Sequence, residues 1–399
     1  MNDGRSHPSV ARRNLRDVLG TIVLNGPLSR TEISRHTGLH AASVSRITKS
    51  LIAADLIRER SEVTTPGKPG RRFIELEVNP EGGYVIGIAI NALEQSVTLA
   101  NLRNERIERI DIQADDVSDW PALIARSVKS VTSMADGHGI QRERIFGASV
   151  AVTGIVNTNT GAVIAAPPLG WKDVPLGETL ADGLQMDVAV ENLPNAINLA
   201  EHRFGISADL SSTLLMNTAL GVGSSLLLNG RLHKGLHSSG MLTGEVLFNS
   251  DDGRPARSLN LAAGGRGAMV EAGMPVSEVQ QMSPADATRR LTALMAQAEQ
   301  GDPHVTEALR RAGRMMGQFM ALAGSVVQPE AYIVSGLLGR TPAYADACAA
   351  ALREQLGDDT VNVRISTMTT QSAARWLAIG TWLIDKDLTL PALGIAEAA

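Results

Sequence analysis

Aromatic residues make up only 3% of this 399-residue chain, and cysteine occurs once, at Cys348. A single thiol excludes an intramolecular disulfide and any metal site built from clustered cysteines, and it suits a reducing cytosol. No apolar run approaches the roughly 20 residues that span a bilayer, and the polar N-terminus lacks the apolar region of a signal peptide. The expectation is a soluble, cytoplasmic protein with no membrane partner. What is present is ordinary globular material, 44% hydrophobic and 20% charged, long enough for two or three domains that each bury a core.

Charge is distributed unevenly. Residues 1–80 hold 13 Lys and Arg against 8 Asp and Glu, whereas the remainder holds 24 against 34. A basic head on an acidic body suggests a polyanion-binding module joined to something that binds no polyanion.

The head has a readable order. Leu15, Val18, Leu19, Ile22 and Val23 fall at helical spacing, so the first segment is an amphipathic helix that ends near Asn25-Gly26-Pro27. In SRTE, Ser29 caps a second helix whose Glu32 reaches back to the N–H of the cap residue, and Gly38 ends it after about two turns. A third helix, from about Ala41 to Ala54, buries Val44, Ile47, Leu51 and Ile52 and presents Ser43, Ser45, Arg46 and Lys49 on its other face. This is the helix-turn-helix order, in which the last helix enters the major groove. Leu56 and Ile57 lead into a strand, and FIELEV at 73–78 returns from the loop TPGKPGRR, forming a hairpin wing. Lys68, Arg71 and Arg72 give that slim loop the charge to meet phosphates or a narrow minor groove. With Thr31 and His40, these residues form the expected DNA-binding set, and a dimer would read an inverted-repeat operator in double-stranded DNA.

After Asn79-Pro80 strands and helices alternate. YVIGIAI at 84–90, VTLANL at 97–102, IFGASVAV at 145–152 and AYIVSG at 331–336 read as strands; helices fit 121–135, 285–299 and 305–327. In AVENLPNAINLAE, at 189–201, an apolar strand end runs into Glu191 and Asn192 and gives the appearance of an active-site loop with its centre replaced by Leu193 and Pro194.

The wing ending in GRR and LEVNP, then VTGIVNTNTGAVIAAPPLGW at 152–171, VENLPNAINLAE at 190–201, LGVGSSLLLNGRL at 220–232 and IVSGLLG at 333–339, resemble the ROK family of sugar kinases and sugar-responsive repressors. The resemblance runs in order through nearly the whole chain. It implies an α/β protein in which a winged helix-turn-helix at about 1–80 precedes an actin-like (ribonuclease H-like) domain at 81–399. That domain would have two subdomains, about 81–200 plus the C-terminal segment and about 201–380, with a ligand cleft between them.

Phosphoryl transfer needs backbone N–H groups around the phosphates and a carboxylate to accept the sugar hydroxyl proton. Where the family's phosphate turn reads Asp-x-Gly-Gly-Thr, this chain has Ile90 to Glu94, INALE; where its Glu-Asn-Asp-Ala-Asn motif supplies the base, this chain has Leu193. The family's zinc ligands, a His and three Cys, are also missing, with Phe248, Ala263 and Ala268 at ligand positions. No cofactor, metal or catalytic residue is expected. Gly154, Asn192, Asn195 and Glu245 match positions that the resemblance places against the sugar, and they form the expected effector set. The family's last sugar-contacting Glu falls at Val270 or, with a one-residue slip, at Glu271. Asn192 has a second reading, in which it bonds its own backbone ahead of a turn.

His233 and His237 lie four apart, a metal-binding spacing on a helix, but their glycine-rich surroundings argue for a loop. Met315, Met316 and Met320 read as core, and Asp115-Asp116 and Asp251-Asp252 as solvated turns. The reading is a DNA-binding regulator, in the sense of a repressor of carbohydrate-related genes, that senses a monosaccharide or derivative and acts as a homodimer or homotetramer. Two alternatives stand beside it: a regulator whose body only oligomerises, and an active sugar kinase.

Overall fold

The computed structural model describes residues 8–60, 74–112, 116–235, 243–249 and 255–386. In the head, the helix Pro8–Asn25 buries Val18, Leu19 and Ile22, and the helix Arg30–Thr37 follows a two-residue strand, Leu28–Ser29. The capping box forms as SRTE dictates. Ser29 Oγ accepts from the Glu32 N–H at 3.3 Å, and the Ser29 N–H donates to Glu32 Oε2 at 2.8 Å. Gly38 closes the helix by donating to the Ser34 carbonyl at 2.9 Å. The third helix, Ala41–Ala53, buries Val44, Ile47, Thr48 and Leu51; Ile52 is only half-buried. Strands Ile57–Glu59 and Leu28–Ser29 flank Glu75–Val78, antiparallel on both sides. The short strand Leu28–Ser29 was not legible beforehand, since two residues carry no periodicity.

The body has two sheets of the same design. In the first, the meander Tyr84–Ile90, Gln95–Asn101 and Arg106–Asp111 is extended on its other side by Ile145–Val152 and Val188–Asn192, both parallel to the leading strand. In the second, Thr213–Thr218, Val222–Leu228 and Arg231–Leu232 form the meander, and Ala331–Ser335 and Val363–Ile365 add in parallel. Each sheet has its own core, the first around Ile86, Leu99 and Val150 and the second around Met216, Met316 and Tyr344. Met315, Met316 and Met320 are buried there as expected. Helices Trp120–Gly137, Pro284–Glu299 and Pro303–Val327 lie within three residues of their sequence-based bounds.

Two further seams hold the molecule together. Between the lobes, Ala89 and Ala151 of the first sheet and Leu215 and Ile333 of the second meet Leu193, Ile197, Ala373, Ala374 and Leu377 in one apolar cluster. Between head and body, Val18, Leu19 and Ile22 share a core with Val85, Ala378, Ile379, Trp382 and Leu383. The helix Thr370–Ile379 and its last turn, Gly380–Asp385, wound as a π-helix, contribute to both seams. Among the described residues no helix is long and apolar enough to cross a membrane.

Candidate functional site

The Ala41–Ala53 helix exposes Arg46 and Lys49 on the face away from its buried residues, with Ala41 and Ala42 beside them. Thr31 and His40 are also exposed, and His40 makes no side-chain cap to the helix that it precedes. Ser43 and Ser45 are half-buried and lie at the margin of this face. Arg30 has a structural role, reaching Thr48 Oγ1 at 3.2 Å and Glu59 at 3.0 Å. Lys68, Arg71 and Arg72 of the wing lie outside the described residues.

In the body, the turn at Asn91 to Glu94 is closed on itself. Asn91 Oδ1 accepts from the N–H groups of Leu93 at 2.7 Å and Glu94 at 2.8 Å, the kind of donors a phosphate turn would aim at its ligand. Asn91 Nδ2 donates to Thr370 Oγ1 at 2.7 Å, and Ala92 packs against the cores of both lobes. Burial pushes the Glu94 carboxyl up, against the pull of Arg109, whose guanidinium is 3.2 Å away. Two of the N–H donors that the turn could aim at a phosphate are therefore already taken by its own Asn91 side chain.

AVENLPNAINLAE is a strand-to-helix junction, not a loop. The strand Val188–Asn192 passes directly into the helix Leu193–Phe204, with Asn192 as its N-cap and Pro194 in its first turn, where a missing N–H costs nothing. Asn192 Oδ1 accepts from the Asn195 N–H at 3.1 Å, and its Nδ2 donates to the Gly154 carbonyl at 3.1 Å. The self-bonding reading of Asn192 thus describes one half of its side chain, and the tie to Gly154 the other. Gly154 has φ +128°, and a Cβ there would lie 2.6 Å from the Ala165 carbonyl oxygen, so only glycine fits.

Glu191 lies beneath this junction. Its Oε1 accepts from the Asn192 N–H at 2.9 Å and Asn195 Nδ2 at 3.0 Å, while Oε2 is 3.8 Å from Lys234 Nζ. Desolvation pushes its carboxyl up; the Asn195 bond, the Lys234 charge and the Asn192 bond pull the other way. Asn195 is wholly buried, and its Oδ1 has no hydrogen-bond partner among the described residues. Leu193 is 5% exposed and sits in the interlobe apolar cluster. Glu191 and Lys234 complete the junction, and neither was among the expected effector residues. Glu191 stood in the quoted motif, but its pairing with Lys234 depends on a contact between lobes that no local pattern records.

Glu245 is exposed and accepts from Asn260 Nδ2 at 2.8 Å, while Asn260 Oδ1 accepts from the Val222 N–H at 2.7 Å. Glu271 is buried against Arg257 at 3.3 Å and Arg311 at 3.6 Å. At the former zinc positions, Phe248, Ala263 and Ala268 are buried in the second lobe's core, Phe248 edge-on to Phe319 at 6.1 Å. His233 is in a loop, and His237 and Asp251-Asp252 lie outside the described residues. Among the described residues no group of three potential ligands could hold a metal.

A winged helix on a two-lobed actin-like body, with its phosphate turn closed, defines the class. The ROK family model matches residues 86–384 and a MarR family model matches residues 16–64. The chain belongs to the ROK family. It is similar to the xylose repressor of Caldicellulosiruptor bescii, 28% identical over 62% of this chain and 61% of that protein, so it spans 61% of that relative's length. It is also similar to the DNA-binding transcriptional dual regulator NagC of Escherichia coli K12, 23% identical over 78% of this chain and 77% of that one. Among solved structures, a ROK family transcriptional regulator described as a homologue of the E. coli MLC protein covers 94% of this chain and 97% of its own, at 23% identity and a TM-score of 0.73. That likeness is one of fold and includes the head.

Proposed function

We propose that this chain is a DNA-binding transcription regulator, a repressor of carbohydrate-related genes, whose kinase-like body senses a sugar or sugar derivative without phosphorylating it. The observation that carries this reading is the pairing of two features. A winged head exposes Arg46 and Lys49 from its third helix, while the body's phosphate turn is closed by Asn91 and its base position is filled by the buried Leu193. The named relatives, a xylose repressor and NagC, support it. The head comprises about residues 1–80 and the body 81–399. The DNA-binding set is Thr31, His40, Ser43, Ser45, Arg46 and Lys49 with the wing's Lys68, Arg71 and Arg72. The effector site is built around Gly154, Asn192 and Asn195, with Glu245 contributing from the second lobe, and a homodimer or homotetramer presents paired heads to an inverted-repeat operator.

The test is a mobility-shift titration on DNA from the gene's own upstream region, with and without a panel of sugars, alongside a coupled ATPase assay. Sequence-specific binding that one sugar alters, with no ATP-dependent phosphorylation, is the expected result. Leu193→Asp should not restore turnover, because the phosphate turn stays closed, and placing a carboxylate in the interlobe cluster should cost about 3 kcal/mol or more. Turnover by the unmodified chain would overturn the non-catalytic reading. A body that only oligomerises is favoured by one observation, the commitment of both ends of the Asn192 amide to the fold; specific DNA binding that no sugar alters would select it.

A further inference from the structure

Lys234 lies two residues beyond the strand Arg231–Leu232 of the second sheet, yet its ammonium lies on the first lobe. Nζ donates to Thr158 Oγ1 at 3.1 Å, in the turn between the strands Ile155–Asn157 and Ala162–Ala166, and stands 3.8 Å from Glu191 Oε2. Glu191 is held from the other side by Asn192 and Asn195, so one lysine closes a chain of contacts from the second lobe to the start of the helix Leu193–Phe204. The two ends of this bridge are unlike. The Lys234 side chain is 46% exposed, whereas the Glu191 side chain is 8% exposed and fixed by two hydrogen bonds. An exposed ion pair is weak, but a buried carboxylate left without its counter-charge is costly, so the contact favours the arrangement of lobes that allows it.

We propose that Lys234 is an interlobe latch, a positioning residue by which the second lobe holds the first. The orphaned Asn195 Oδ1 and the Glu191 carboxylate lie behind it. A ligand that offers hydroxyl donors to those two acceptors and an oxygen to the lysine, without displacing it, leaves the ion pair intact. With one carboxylate and one ammonium already paired, an uncharged polyol satisfies the site, whereas a charged ligand leaves one of the two without its partner. This statement of ligand class rests on the regulatory reading above; the latch itself does not.

The test is a pulsed electron–electron distance measurement on the full chain without ligand, labelled at Lys129→Cys in the first lobe and Gln297→Cys in the second. Both positions are exposed. Cys348 will stay unlabelled because it is buried with its thiol pushed up to about 12. Lys234→Met and, independently, Thr158→Val should broaden the interlobe distribution and shift its mean, and Lys234→Arg should keep it near that of the unmodified chain. All these side chains are at the surface or small, and circular dichroism establishes that each variant is folded before labelling. A Lys234→Met distribution superimposable on the parent, or equal broadening by Met and Arg, overturns the latch. Loss of specific operator binding in the parent would instead overturn the regulatory reading and leave the latch standing.

Discussion

At the scale of single residues, the most consequential replacement in the site is an apolar one. Leucine at position 193 does more than remove a carboxylate: it joins Ala89, Ala151, Leu215 and Ile333 in the cluster between the lobes, so a position that the family uses for chemistry is here used for packing. That it offers no proton acceptor was legible from residue type alone, but its packing was not, because the four residues it shares the cluster with come from four strands distant in sequence. Glu191 carries the corresponding electrostatic signature. Its carboxyl is raised above an ordinary value near 4.5, chiefly by desolvation. In the window above that value the folded chain still holds a proton that the unfolded chain has released. The group's contribution is therefore fully present below the unfolded value and is lost as pH rises through the folded one. Glu191→Gln keeps an acceptor for Asn192 and Asn195 and does not titrate. Its urea midpoint, relative to the unmodified chain, should rise steadily as pH is raised from about 4 to about 8. A flat difference across that range would show that Glu191 is not desolvated in solution.

Secondary-structure elements were the most legible level. The capping box at Ser29, the glycine stop at Gly38 and the apolar spacing of Val44, Ile47 and Leu51 are local signals, and the helices they specify form where expected. The stretch at Asn192 has the appearance of an active-site loop in the sequence but is a strand-to-helix junction, and Pro194, in the first turn of that helix, breaks nothing. The third helix of the head permits a test of its own. Arg46 and Lys49 are both exposed, but they do not have to do the same work. If Arg46 makes a bidentate contact with guanine, Arg46→Ala should cost roughly 1–3 kcal/mol on the operator and relax one base position. Lys49→Ala, if it meets phosphate, should weaken specific and random DNA alike and reduce the salt slope by about one. Binding curves on both kinds of DNA at several salt concentrations separate the two, and equal losses for Arg46→Ala on both would make it a backbone contact.

For the whole molecule, what the sequence could not show is how the head is mounted. Composition marks a basic head and an acidic body and the pattern changes after Asn79-Pro80, and the structure joins the two through a common core. Buried side chains of the helix Pro8–Asn25 pack with Ala378, Ile379, Trp382 and Leu383 from nearly the other end of the chain. Trp382 is anchored in the body, its Nε1 donating to Ser149 Oγ at 3.1 Å, and Gly147 leaves room for its ring, since a Cβ there would come within 2.5 Å of it. The helix that begins beside the closed turn, where Thr370 accepts from Asn91, thus ends against the winged head. A change in lobe geometry at one end has a packed route to the other, although its leverage cannot exceed the effector's differential affinity for the two arrangements. The seam makes a prediction that needs no effector. Leu383 is wholly buried in the shared core, and Leu383→Ala should cost ~2–5 kcal/mol by leaving a cavity. Because that loss sits between head and body, amide exchange should accelerate chiefly in the buried part of Pro8–Asn25 while the central strands Tyr84–Ile90 and Thr213–Thr218 keep their protection. In the unmodified chain the buried amides of that helix should exchange only through openings shared with Thr370–Ile379. If Leu383→Ala accelerates head and body equally, or if the helix already exchanges independently in the unmodified chain, the head is tethered rather than seated, and signals from the cleft must reach the DNA by another path.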